Sequence, residues 1–231
     1  MSGDRQPREP DPPDPARTPL VVDVDLEPEG LEEALVASID LPGRPDGVWD
    51  QQVAPDDHRW MAEALAMAEH GLSAGELPIG AVVVAGGQVV GRAFTQERTQ
   101  GRLLVHAEFL ALDQADRTHA VCRTATVLYT TLEPCLMCLG AAATSMVDRV
   151  VFALASPGDG AAAVARRWEE ERRVSHVAHV RLPPVTGGVG ADRSRELFRR
   201  FRDARPDPTD ALAQWASSLI GPGDSGESEP N

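Results

Sequence analysis

The feature that most constrains this chain is a pair of short motifs, His106-Ala107-Glu108 and Pro134-Cys135-Leu136-Met137-Cys138. Together they supply one imidazole, two thiols and a carboxylate. Zn²⁺ favours such nitrogen and sulfur donors, and a catalytic zinc keeps three protein ligands with its fourth position open to water. A fold that uses both motifs must bring the two segments face to face. His106, Cys135 and Cys138 are the candidate ligands for one Zn²⁺ per chain. Glu108 is the candidate catalytic residue, placed to handle the protons of a water activated beside it.

A Cys-x-x-Cys by itself also fits a structural zinc or a redox pair. A redox pair leaves His106 and Glu108 without a use. A structural zinc wants a fourth Cys or His, and Cys122, His58, His70 and His119 lack the spacing. His176 and His179 are the nearest rival pair. Val174 to Val180 reads as a strand, which turns those two side chains to opposite faces.

The flanking sequence reads as an alternation of strands and helices. Asp56 or Asp57 can cap a helix running to about His70, with Gly71 as its stop. Ile79–Ala85 and Gln88–Phe94 read as strands joined by the hairpin pair Gly86-Gly87. Val105, Phe109 and Leu112 recur at helical spacing, with His106 and Glu108 at the start of that helix. Thr126–Leu132 is a buried strand by its β-branched and aromatic content, and Pro134 suits the first turn of the next helix. Cys135 and Cys138 then share one helical face. Arg149–Leu154 is a further strand, Ala161–Arg173 a helix, Ser175–Leu182 a fifth strand and Arg193–Arg205 a helix carrying Leu197, Phe198 and Phe201 on one side. Ala211–Ile220 has the pattern of a short amphipathic helix. Strands alternating with helices after a hairpin predict an α/β protein, a three-layer α/β/α sandwich on a mixed five-stranded sheet.

The run Thr131-Leu132-Glu133-Pro134-Cys135-Leu136-Met137-Cys138-Leu139-Gly140-Ala141 resembles the cytidine and deoxycytidylate deaminase superfamily, whose zinc signature is this His-x-Glu with Pro-Cys-x-x-Cys. Within it, the likeness is to the branch of bacterial tRNA adenosine deaminases, guanine deaminases and cytosine deaminases. Glu76–Val84 resembles that branch's first strand and Asp148–Ala153 its fourth, so the likeness spans roughly Asp56 to Arg205. The resemblance implies a zinc-dependent hydrolytic deaminase that removes an exocyclic amine as ammonia. It implies backbone contacts to the base around Ala107 and Pro134, with Thr95 at the substrate-facing end of the second strand. It also implies a homodimer, through Leu136, Leu139, Ala142, Ala143 and Met146 on the Cys-bearing helix; that stripe serves a monomer core equally well.

The departures bear on the substrate. Where the tRNA enzymes carry Asn in a Trp-Asn-Arg run, this chain has Phe94-Thr95-Gln96. Arg102-Leu103-Leu104-Val105 replaces their Asp-Pro-Thr-Ala. Ala155-Ser156-Pro157-Gly158-Asp159-Gly160-Ala161 keeps only the Gly-Ala end of their Arg-Asp-x-Lys-Thr-Gly-Ala loop. Buried polar recognition needs its donors. These losses favour a free purine or pyrimidine base or nucleoside as the small-molecule partner. Adenosine 34 of tRNA, converted to inosine, is the alternative substrate, and a non-catalytic deaminase-fold binding protein is a third reading. Arg193, Arg195, Arg199, Arg200, Arg202 and Arg205 in the last core helix fit either a phosphate surface or a solvated face paired with nearby carboxylates.

Charge separates the chain into parts. The net charge is −14, yet residues 1–55 carry 13 acidic against 4 basic side chains, residues 206–231 carry 5 acidic and no basic ones, and residues 56–205 balance at 18 of each. The acidity therefore belongs to the ends and does not exclude a nucleic-acid partner for the middle. Residues 1–19 read as a disordered acidic segment, 20–55 as an extra strand-helix segment and linker, 56–205 as the deaminase domain and 206–231 as an acidic, mostly disordered tail. There is no 18-residue apolar run and no export signal near Met1, so no membrane partner is expected. With Cys usage that fits a reducing compartment, the expected location is cytoplasmic.

Overall fold

The computed structural model describes residues 53–118, 125–175 and 181–220, all within one compact unit spanning Gly47–Asn231. The N-terminal segments therefore lie almost wholly outside the described residues, as do His119, Cys122, His176 and His179. The elements are α1 (Asp57–Ser73), β1 (Gly80–Ala85), β2 (Gln88–Phe94), α2 (Glu97–Gln100), α3 (Ala107–Thr118), β3 (Thr126–Leu132), α4 (Leu136–Thr144), β4 (Arg149–Leu154), α5 (Ala162–Ser175), β5 (Val185–Thr186), α6 (Ala191–Asp203) and α7 (Ala211–Ile220).

The five strands form one sheet in the order β2-β1-β3-β4-β5. The pairs β2–β1 and β1–β3 are antiparallel, whereas β3–β4 and β4–β5 are parallel. The sheet is therefore mixed, as the strand–helix alternation predicts. Gly86 and Gly87 have φ of +56° and +75°, the left-handed pair that a tight hairpin turn requires. Alternation along each strand feeds two cores. Ala81, Val83, Leu128, Val150 and Leu154 face α3 and α4, packing with Ala107, Ala111, Leu112, Leu139 and Ala142. Val82, Val84, Tyr129, Val151 and Ala153 face α1, packing with Trp60, Met61, Ala64, Leu65 and Ala68. The result is the expected α/β/α sandwich.

One buried polar cluster ties α1 to the sheet. Asp57 is fully buried and takes both Arg149 guanidinium nitrogens, at 3.0 and 2.5 Å. It also accepts the Tyr129 hydroxyl at 2.9 Å and the Ala54 N–H at 2.7 Å. Burial alone pushes the Asp57 carboxyl up; the Arg149, Ala54 and Tyr129 hydrogen bonds outweigh it and leave the pKa below its ordinary value.

Several local expectations need correcting. Helix α1 does not stop at Gly71 but runs to Ser73, with Gly71 buried inside it. Pro134 is not in a helix: α4 starts at Leu136, and Cys135 is its N-cap with extended backbone (ψ 171°). Phe109 does not face the core; it is 41% exposed on α3. The fifth strand read at Ser175–Leu182 falls largely outside the described residues, which omit 176–180. Ser175 ends α5, and the strand paired to β4 is the two-residue Val185–Thr186. The stripe read on the Cys-bearing helix divides, since Leu139 and Ala142 are buried, Leu136 is exposed, and Met146 is exposed beyond the end of α4. The helix Ala211–Ile220 forms as read and buries Ala213, Ala216, Leu219 and Ile220 in the core.

Candidate active site

Two helix starts meet at the C-terminal end of β3. His106 immediately precedes α3, and its carbonyl accepts the Leu110 N–H at 3.0 Å, the first bond of that helix. Cys135 caps α4, with its carbonyl accepting the Leu139 N–H at 2.9 Å, and Cys138 lies one turn on, fully buried. The donor atoms of His106, Cys135 and Cys138 all fall within 4.8 Å of one another. His106 Nδ1 is 3.6 Å from Cys135 Sγ and 3.5 Å from Cys138 Sγ. Tetrahedral zinc with Zn–S near 2.3 Å and Zn–N near 2.0–2.1 Å places nitrogen and sulfur about 3.6 Å apart. The donor set fits Zn²⁺ in both chemistry and spacing.

Glu108, in the first turn of α3, is 3% exposed. Burial pushes its carboxyl up to about 7, against the opposing pull of its own backbone N–H and of His106. The contact with Cys138 draws the Cys135 thiol down to about 4, and His106 assists. The Cys135 contact and burial hold Cys138 up. His106 is raised to about 10, first by Cys135 and then by Glu97.

The donors open onto a cavity of about 290 Å³. Ligand pockets typically span about 300–1,000 Å³, so this one is at the small end. Leu77, Ile79 and Leu132 supply an apolar wall; Thr95, Glu97, Glu108, Glu133 and Asp159 supply oxygens; Leu212 and Trp215 of α7 complete the lining. Trp215 also meets the Phe198 ring edge-on, with centroids 5.7 Å apart. Asp210 fixes the start of α7, accepting the Leu212 N–H at 2.8 Å and pairing with Arg205 at 2.8 Å.

Of the sequence-derived contacts, Ala107 and Thr95 line this cavity. Thr95 is 1% exposed, with its hydroxyl 3.1 Å from Glu97 Oε2 and 3.3 Å from the Val105 carbonyl. Pro134 lies outside the lining, and its carbonyl accepts the Ala161 N–H at 2.9 Å. That bond is part of a clamp on the loop after β4. The buried carboxylate of Glu133 accepts the N–H groups of Ser156 (2.9 Å) and Ala162 (3.1 Å), which brings Asp159 to the cavity wall. Sequence reasoning missed Glu97, Asp159, Leu212 and Trp215. Glu97 and Asp159 carry only the weak signal of a carboxylate near a motif, and the two α7 residues carry none.

The family model described as the cytidine and deoxycytidylate deaminase zinc-binding region matches residues 54–154. A tRNA-specific adenosine deaminase of Bacillus subtilis (strain 168) is 37% identical over 153 residues, 64% of this chain and 95% of that protein. The chain belongs to the cytidine and deoxycytidylate deaminase family. As a member of this deaminase family it is an enzyme, and its cofactor is Zn²⁺. A solved structure from a study of A-to-I editing by tRNA:A34 deaminases superimposes with a TM-score of 0.52 at 28% identity, over 60% of this chain and 98% of that one. A guanine deaminase from Nitrosomonas europaea shares the fold at 23% identity and a TM-score of 0.53, over 65% and 85% of the two chains. Among the described residues no helix is long and apolar enough to cross a membrane.

Proposed function

We propose that this deaminase acts on a free purine or pyrimidine base or nucleoside, with His106, Cys135 and Cys138 holding Zn²⁺ and Glu108 carrying protons. One observation favours a small substrate: the described cavity wall contains four carboxylates, Glu97, Glu108, Glu133 and Asp159, and no Arg. Glu133 is engaged by the Ser156 and Ala162 N–H groups and Glu97 by His106 and Thr95, which leaves Glu108 and Asp159 to accept substrate N–H groups, and the negative charge of the wall repels phosphate. The Arg side chains of α6 do not offset it. Arg195 pairs with Asp192, Arg199 with Glu196, Arg200 with Glu69, Arg202 with Asp203 and Arg205 with Asp210. Five of the six arginines named from the sequence are thus paired with carboxylates and Arg193 is exposed, which favours the solvated face over a phosphate surface.

When bound, Zn²⁺ supplies Lewis-acid activation of water, lowering its pKa from the bulk value to about 7. The Glu108 carboxylate takes a proton from the attacking water and delivers it to the ring nitrogen. It then takes the proton of the hydroxyl newly bound to the ring carbon, which becomes the carbonyl, and carries it to the exocyclic amine. The ring carbon gains a C–O bond, its C–N bond breaks, and ammonia leaves. Burial suits Glu108 to this traffic, because a carboxyl with a raised pKa both accepts and returns protons near neutrality. Ala107 and Thr95 border the base, and Trp215 offers it an aromatic face.

A second reading, adenosine 34 of tRNA, is favoured by the 37% identity to the Bacillus subtilis enzyme. Ammonia release from a panel of bases and nucleosides, run beside inosine formation in an anticodon stem-loop, separates the two. Turnover of a small heterocycle without inosine supports the first reading. Inosine without small-molecule turnover replaces it by the second.

The same reading includes a cytoplasmic homodimer. Thiol ligands need a reducing compartment. Leu103, Leu104, Leu136 and Met146 are 80%, 60%, 61% and 54% exposed, an apolar surface suited to a second copy. Light scattering at micromolar concentration checks it; a monomer mass counts against the dimer.

A further inference from the structure

The zinc ligand His106 turns Nδ1 toward both sulfurs, and its second nitrogen, Nε2, lies 3.5 Å from Glu97 Oε1. The other oxygen of Glu97 accepts the Thr95 hydroxyl at 3.1 Å. Glu97 opens α2, a helix of four residues. One turn closes too few hydrogen bonds to persist alone. Its N-cap residue, Gln96, contributes no side-chain cap. The support comes from far away in sequence. Glu76 is fully buried, and its two oxygens accept the backbone N–H of Arg98 at 3.1 Å and of Thr99 at 2.7 Å. A distant carboxylate thus does the capping and fixes the turn from which Glu97 reaches His106.

An imidazole that binds metal through one nitrogen presents the other as an N–H donor. A carboxylate at that N–H fixes the tautomer and ring orientation and makes the ligand more basic. We propose that Glu97 is a positioning residue for the zinc ligand His106, and that Glu76 acts through it by anchoring α2. This rests on the zinc reading above, and neither residue is asked to touch the reacting atoms.

The test is competition for Zn²⁺ between the zinc-loaded protein and a chromophoric chelator, which reads affinity without any substrate. Glu97→Ala should weaken zinc binding by about 10- to 100-fold, the usual effect of losing such a partner. Glu97→Gln should lie between, because its amide oxygen still accepts the N–H but carries no charge. Arg102→Ala removes an exposed charge just beyond the same turn, where the guanidinium bonds the exposed Gln100 at 3.1 Å, and should stay within about twofold of wild type, as expected for a site with no ligand role. Glu76→Gln presents one acceptor to two N–H groups and should weaken zinc less than Glu97→Ala. Added to Glu97→Ala, it should cost nothing more, since coupled residues are non-additive. Zinc affinity unmoved in Glu97→Ala, or additive losses in the double variant, overturns the positioning role. A wild-type protein that holds no zinc overturns the metal reading itself, so the two failures are distinguishable.

Discussion

Replacing Arg149 by Met should expose how far the Asp57 cluster holds α1 on the sheet. Asp57 is fully buried, and the Arg149 side chain is only 18% exposed. The substitution keeps most of the volume and removes both N–H···O contacts, leaving the carboxylate with Ala54 N–H and the Tyr129 hydroxyl. Breaking one partner out of a buried pair typically costs about 3–5 kcal/mol, because the remaining charge has neither water nor counter-ion. For a chain of this size each kcal/mol shifts the melting temperature by roughly 2–4 °C, so the expected loss is roughly 6–20 °C at pH 7. Asp57 has a folded-state pKa below its ordinary value of 3.8, so in the wild type its contribution is present above that value and is lost as pH falls through the depressed one. In Arg149→Met only the Ala54 and Tyr129 hydrogen bonds still oppose burial, so the folded-state pKa of Asp57 should rise. The variant's penalty is then full at neutral pH and fades as the carboxyl protonates. Denaturation of the zinc-saturated protein at pH 7 and near pH 4 measures both effects. A loss below about 1 kcal/mol at pH 7, the range of an exposed pair, would refute the argument. So would a stability gap that does not narrow in acid. Asp57→Leu combined with Arg149→Met should recover part of the loss, since no buried charge remains.

Other substitutions test the site. Cys135→Ala should lose stoichiometric zinc and melt lower, because metal-binding energy is also folding energy; elemental analysis that finds full occupancy points to different ligands. Glu108→Gln should keep its zinc and lose at least about 10²-fold in turnover, and near-normal turnover removes the proton-carrying role. Gly160→Ala puts a methyl group 2.2–2.5 Å from the buried Glu133 carboxyl, so overpacking should cost about 1–3 kcal/mol in a denaturant titration; an unchanged midpoint means the clamp on this loop is soft. Trp215→Ala should raise KM for an aromatic base by roughly 2- to 10-fold, the worth of one ring contact, with zinc content unchanged. A KM that does not move excludes Trp215 from the substrate's surroundings.

The candidate zinc donors were legible because each motif is local. His106 with Glu108, and Cys135 with Cys138, sit within single turns, and the apolar strand Thr126–Leu132 between them forms as its composition demands. The first four strands were legible for the same reason. The fifth was not. Alternation around Val174–Val180 suggested a strand, but Val174 and Ser175 belong to α5, residues 176–180 lie outside the described ones, and the described ladder to β4 is Val185–Thr186. Pro184 has no N–H to donate, yet its carbonyl accepts the Val150 N–H at 2.9 Å, which suits an edge position and keeps the strand short. Phe109 misled in another way: its helical spacing is sound, but the face it occupies is decided by what packs on α3, and among the described residues it stays 41% exposed.

What sequence could not supply is the wall opposite the motifs, and that wall bears on substrate choice. Zinc donors and a proton carrier fit any amine-bearing ring, so they are common ground for a base, a nucleoside and a tRNA adenosine. Discrimination must come from groups brought in by tertiary contacts. Here those are Glu97, held on a turn capped by a residue 21 positions earlier; Asp159, held through the Glu133 clamp; and Trp215, held by the Asp210 cap and the Phe198 ring. Each support is a hydrogen bond or ring contact with no periodic signature. Two of the three side chains add negative charge beside Glu108. A polyanion approaching that rim meets repulsion within the roughly 8 Å over which charges act at physiological salt. A neutral ring bearing several N–H groups meets acceptors instead. The preference for a small neutral ring therefore depends on the charge of Glu97 and Asp159, and exchanging Asp159 for Asn, which leaves the candidate zinc donors untouched, is the direct way to weaken it.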